Sequence, residues 1–240
     1  TGRAGPAAYS REMPDAFIAF IVIAVGVLII GAIVAAKAKK KRQMAMAAWA
    51  AHHGWHYTAD DVSSLDRRFG EFDCLTEGDN RYGYNVVRGE RAARDLWAFD
   101  YHYQTYSTNS KGQRQTHHHH ISAVIVDSQL HLEPLFIREE RMFDKMASVF
   151  GFDDIDFESA EFSREFFVKA QNKRWAFDVI NQRNMELLLR APRFSIQFAG
   201  AHIIAWRSRH FRTEQFDQAV KLLFDLLEGI PKDIRERLGT

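Results

Sequence analysis

The chain has 240 residues and a mass of 27.7 kDa, enough for one ordinary domain with something small attached. With 46% hydrophobic and 26% charged residues, 14 Gly and 5 Pro, it is not collagen-like, low-complexity or wholly disordered. A net charge of +1 gives no reason to expect nucleic acid, and one cysteine, Cys74, excludes a disulfide framework or a cysteine-built zinc or iron–sulfur site within the chain.

Residues 1–15 are read as a short tail outside the membrane. Residues 16–36, AFIAFIVIAVGVLIIGAIVAA, carry no charge. A helix of that length spans about 31 Å, close to the hydrocarbon thickness of a bilayer, and helix is the conformation that satisfies its backbone in lipid. Gly31 with Ala35, and Ala32 with Ala36, are small residues four apart, a spacing that lets another helix approach. No His, Cys or Met lies in the segment, so it offers haem iron no ligand, and it has no ionisable residue for a proton path. It is an anchor or a packing element.

Lys37, Lys39, Lys40, Lys41 and Arg42 follow at once, whereas Arg3 and Arg11 are balanced by Glu12 and Asp15. The positive-inside rule then places the N-terminus outside and the C-terminal bulk in the cytoplasm. For a cleaved signal peptide the apolar stretch is too long and the basic residues lie on the wrong side. The basic collar suits anionic lipid head groups, and it is equally a plain topology signal. Residues 37–53 read as a basic juxtamembrane helix that Gly54 ends.

The remainder, residues 54–240, is expected to be a cytoplasmic α+β domain with a mainly antiparallel sheet and amphipathic helices. Seven of the 32 basic residues and two of the 31 acidic ones fall in the first 42 positions, which leaves the rest about four charges negative and argues against a DNA or RNA surface. Residues 81–88 and 96–106 read as strands. The second places Trp97, Phe99, Tyr101 and Tyr103 on one side and Asp100, His102 and Gln104 on the other. Residues 107–112 form a polar turn, and 118–127 and 131–138 continue the sheet. Amphipathic helices are predicted at 139–150, where Met142, Met146, Val149 and Phe150 share a stripe, at 173–190, and at 214–228 with Thr213 as N-cap. Residues 194–198 and 202–207 are predicted to pair as a hairpin turning at 199–201.

Catalytic motifs are missing: no dinucleotide or phosphate-binding glycine loop, no H-E-x-x-H, no nucleophile elbow, no EF-hand. The sequence therefore reads as a non-enzyme with no cofactor. Cys74, between apolar neighbours, reads as a small buried hydrophobe. Asp153, Asp154, Asp156, Glu158 and Glu161 form an acidic stretch without the glycine and ligand order of a calcium loop. Histidines supply the sharper alternative. If the hairpin after position 106 pairs residues whose numbers sum to 222, Asp100, His102, His118 and His120 share one sheet face, an N/O set suited to zinc or another transition metal. A slip of one residue destroys that set.

Three stretches, YNVVRG at 84–89, AFDYHY at 98–103 and FGFDDIDFESAEFSREFFV at 150–168, together with the membrane helix ahead of them, resemble an uncharacterised family of bacterial single-pass membrane-anchored proteins. That family has no assigned activity, so the resemblance implies no catalytic residues. In layout alone the chain is similar to the H subunit of bacterial photosynthetic reaction centres. The expectation is an accessory or scaffold subunit in the bacterial inner membrane, packed on other membrane subunits of an energy-transducing (photosynthetic or respiratory) complex. The alternatives are a metal-binding domain or a membrane-tethered module for a soluble partner.

Overall fold

The computed structural model describes residues 15–60, 64–140 and 153–239, which form two units divided between Met44 and Ala45. The predicted outer tail, 1–15, lies outside the described residues except for Asp15, which begins a helix, and of the predicted helix 139–150 only Glu139 and Glu140 are described, Glu139 ending a strand.

One helix, α1 (Asp15–His52), contains the apolar segment. Within it, the stretch from Val22 onward has a window of mean hydropathy 2.2 that is not buried at all, long and apolar enough to cross a membrane. Phe20, Leu28 and Ile30 are 68%, 72% and 63% exposed, so none of them is covered by the described residues. The end of α1 behaves differently. Met46, Trp49 and Ala50 are buried in the core of the second unit. The helix stops where expected: Gly54 takes φ +70, and the Trp55 amide returns to the Ala50 carbonyl at 2.8 Å.

The second unit is a seven-stranded antiparallel sheet with helices on both faces. In chain order its elements are β1 (His56–Asp60), α2 (Leu65–Arg68), α3 (Asp73–Thr76), β2 (Asp79–Arg91), β3 (Arg94–Thr108), β4 (Arg114–Glu139), β5 (Asp153–Asp154), α4 (Ala160–Glu165), β6 (Phe166–Ala170), α5 (Lys173–Val179), α6 (Gln182–Arg190), β7 (Ser195–Ser208), α7 (Thr213–Glu228) and α8 (Lys232–Leu238). Strand order is β1-β2-β3-β4-β6-β5. The long strand β4 organises it: its first half pairs with β3, its last five residues pair with β6, and β7 runs along the opposite edge.

The α+β class holds, and four local expectations are corrected. Residues 118–138 are one strand, not two, with an irregularity where Gln129 takes φ +55. The residues predicted as a hairpin over 194–207 are, from Ser195 on, one strand, because β4 offers them a continuous edge; Gly200, φ +57, absorbs the irregularity opposite Leu132. The helix expected over 173–190 breaks at Ile180 and Asn181, since the Asn181 side chain accepts the Asn184 amide and starts a new helix. At α7 the N-cap is Arg212, not Thr213, with the Arg212 amide donating to Gln215 Oε1 at 2.9 Å.

Alternation along β3 divides the core. Trp97, Phe99, Tyr101 and Tyr103 pack with Leu65, Phe69, Phe72 and Leu75 of the α2–α3 segment. Leu96 and Ala98 face the other way, against Met46 and Trp49 and the helices α5 to α7. Both sides are covered, so the polar side of β3 is not a solvent face: Asp100 and His102 are buried.

Candidate functional site

On α1, Gly31, Ala32, Ala35 and Ala36 are all exposed, and a β-carbon added at Gly31 would meet nothing within 4 Å. The small-residue face is thus open to another helix. Lys37, Lys39, Lys40 and Lys41 are exposed beside it, and Arg42 is half-buried.

The histidine face forms in the register that sums to 222. His102 stands opposite His120, Gln104 opposite His118, and Asp100 opposite Ser122. Asp100, however, is committed to the interior. Asn85 Nδ2 donates to its Oδ2 at 2.9 Å and Ser122 Oγ to its Oδ1 at 2.5 Å, while Ser122 Oγ accepts the Phe211 amide at 2.9 Å. A buried carboxylate held this way ties β2, β3, β4 and the start of the α7 segment together.

The histidines make their own connections. His102 Nδ1 lies 3.1 Å from the Asn80 carbonyl, and its Nε2 lies 3.1 Å from His118 Nδ1. His120 Nδ1 lies 3.0 Å from the Tyr84 hydroxyl, which is 2.7 Å from His210 Nε2. Tyr84 and His210 are members that the sequence did not announce. Tyr84 pairs with Asp100 from β2, and His210 follows Arg209, whose amide bonds the His120 carbonyl. Burial, with the neighbouring imidazoles, pushes the pKa of His102 and of His120 down.

So Asp100, His102, His118 and His120 share a face without converging. Among the described residues no three His, Cys, Asp or Glu side chains are arranged to hold a metal ion. The physical reason is that Asp100 is consumed by Asn85 and Ser122, and His120 is turned to Tyr84. His117 and His119 sit on the other side of the ribbon, bonded to Ser107 Oγ and Thr105 Oγ1, with His119 stacked on Tyr103 at 4.7 Å. Near the end of α1, His53 bonds Asp217 at 2.9 Å and stacks on Trp55 at 4.3 Å.

Two further groups have settled environments. Cys74 is buried in the sheet–α3 core, as its neighbours implied. Asp73, beside it, has its pKa raised to about 6 by burial, against the opposing hydrogen bond with Gln197.

The chain thus combines one exposed apolar helix with an α+β domain built on a long antiparallel sheet. No family model matches it, and no curated protein does. Among solved structures it is similar to the crystal structure of the mycobacterial trehalose monomycolate transport factor A, TtfA. The identity is 13% and the TM-score 0.56, over 79% of this chain and 96% of that one. At that identity the likeness is one of fold.

Proposed function

We propose that this protein is a non-catalytic, single-pass accessory subunit of the bacterial inner membrane, with its N-terminus outside and its sheet domain in the cytoplasm. It packs against a larger membrane protein assembly and stabilises it. One observation carries the reading: from Val22 to Ala36 the apolar part of α1 is unburied, and it is followed at once by Lys37, Lys39, Lys40, Lys41 and Arg42. That much uncovered apolar surface calls for lipid and a partner helix. The basic residues then lie against anionic head groups, and the face of Gly31, Ala32, Ala35 and Ala36 meets the partner.

The solved structure sharing the fold is that of a transport factor, which favours a transport assembly as the partner over a photosynthetic or respiratory one. Extraction in mild detergent followed by native electrophoresis tests the proposal. The chain should migrate in stoichiometric ratio with a larger membrane complex, and a cysteine placed in the first 15 residues should react with an impermeant reagent added to spheroplasts. Migration as a lone protomer under every mild condition would leave only a tether for a soluble partner.

A further inference from the structure

A cavity of about 540 Å³ opens on the second unit where β1, β2 and β3 meet α2, a size that suits a small ligand. Its floor follows from the sheet register. His56 pairs with Arg88, and Arg88 with Trp97, so the three side chains form one row across three strands. Two residues along, Glu90 pairs with Asp95 on the same face, about 7 Å away by strand geometry.

Each row is one-sided in charge. Over the first, α2 brings Arg68, its guanidinium 4.7 Å from the Trp97 ring centre, so Arg68, Arg88 and His56 collect donors. In the second, two carboxylates stand directly opposite each other, an arrangement that costs stability in a sheet unless a cation lies between them. Among the described residues no cation pairs with the Glu90 or the Asp95 side chain, and both are exposed. Trp55 fixes one wall. Its indole donates to the Glu90 carbonyl at 3.3 Å at the edge of the groove.

We infer that this groove binds a small zwitterion, a phosphorylated amine, with its phosphate at Arg68, Arg88 and His56 and its ammonium between Glu90 and Asp95. Two guanidinium forks and an imidazole match the several acceptor oxygens of a phosphate better than the two of a carboxylate. The paired carboxylates supply the counter-site for the amine. The inference does not depend on the proposed accessory role. The same chemistry is offered by a free phosphoamine and by a phosphatidylethanolamine head group.

The test uses the full chain in maltoside detergent, titrated with phosphoethanolamine and followed by tryptophan fluorescence and calorimetry. Saturable binding is expected, weakened at least tenfold by Arg68→Gln and by Asp95→Asn, two exposed positions whose variants should keep the circular dichroism of the unaltered chain. Inorganic phosphate alone and ethanolamine alone should each bind at least tenfold more weakly. Nanodiscs separate the two sources. Loss of free phosphoethanolamine binding in phosphatidylethanolamine discs but not in phosphatidylglycerol discs assigns the groove to the lipid head group; equal binding in both assigns it to the soluble compound. No saturable signal, phosphate alone binding as tightly, or both variants binding like the unaltered chain would overturn the inference.

Discussion

The side-chain amide of Asn184 fills the space that a β-carbon on residue 229 would need: built on Gly229, that atom would stand 2.6 Å from Asn184 Cγ and 2.8 Å from its Nδ2. Asn184 is fully buried, and its Nδ2 donates to the Val179 carbonyl at 2.8 Å and to the Leu226 carbonyl at 3.1 Å, joining the end of α5 to the end of α7. Gly229→Ala must push this amide aside and break both bonds. A loss of about 2–4 kcal/mol is expected from overpacking and unpaired carbonyls. Asn184→Ala removes the obstacle, so the double variant should cost clearly less than the two single costs added, a coupling readable from urea denaturation.

Asp73 makes stability depend on pH in an unusual direction. Its pKa is raised from 3.8 to about 6, so between those values the folded chain holds the proton more tightly than the unfolded one. Its contribution is therefore fully present below pH 3.8, weakens as pH rises to 6, and is flat above. For this half-buried group the change amounts to about 1–2 kcal/mol once solvent screening is counted. Asp73→Asn keeps a neutral side chain beside Gln197 and should be stabilised over the unaltered chain by that amount at pH 7.5. The difference should shrink towards zero at pH 4, as urea midpoints at the two values will show.

The elements that were legible in the sequence are those whose cause is local. The uncharged run at 16–36 implies a helix whatever surrounds it, Gly54 stops that helix by its own backbone freedom, and the two-residue period of β3 states which side carries Trp97 and Tyr101. The polar turn marked the hairpin between β3 and β4 but not its register; the 222 pairing was one possibility, and the structure adopts it. What was not legible depends on partners far away in the chain. Asp100 sits on the polar side of β3, yet helices from the last third of the sequence cover that side, and Phe211, 111 positions on, completes its surroundings through Ser122. Tyr84 and His210 join the histidines only once β2 has docked on β3 and the end of β7 on β4. Strand β7 is unbroken because β4 supplies its edge, which no pattern within 194–207 reveals.

His102 and His120 act on stability in the opposite sense to Asp73. Burial favours their neutral forms and lowers both pKa values; the Asn80 carbonyl at His102 and the Asp100 carboxylate near His120 oppose this, while His118, His119 and His210 reinforce it. The stabilisation is present above the unfolded value of 6.5 and is lost as pH falls below it. The full chain should therefore lose stability between pH 7 and 5. His102→Gln, which carries no titrating ring, should flatten that loss when urea midpoints are compared across the range, and an unchanged slope would mean that the histidine face does not control it.

The proposed helix face makes the sharpest claim about assembly. A β-carbon at Gly31 meets nothing in this chain, so Gly31→Ile has no intramolecular cost and adds apolar surface that favours insertion. Domain stability should stay within about 0.5 kcal/mol of the unaltered chain. If Gly31 and Ala35 receive a neighbouring helix at close approach, the added branches hold the two backbones apart, and both Gly31→Ile and Ala35→Ile should release the protein from its complex in mild detergent. Val27→Ile, outside that small-residue pattern, should leave the complex intact. A complex that survives Gly31→Ile and Ala35→Ile together would show that the partner is bound elsewhere, and the anchor would then serve only to hold the domain at the membrane.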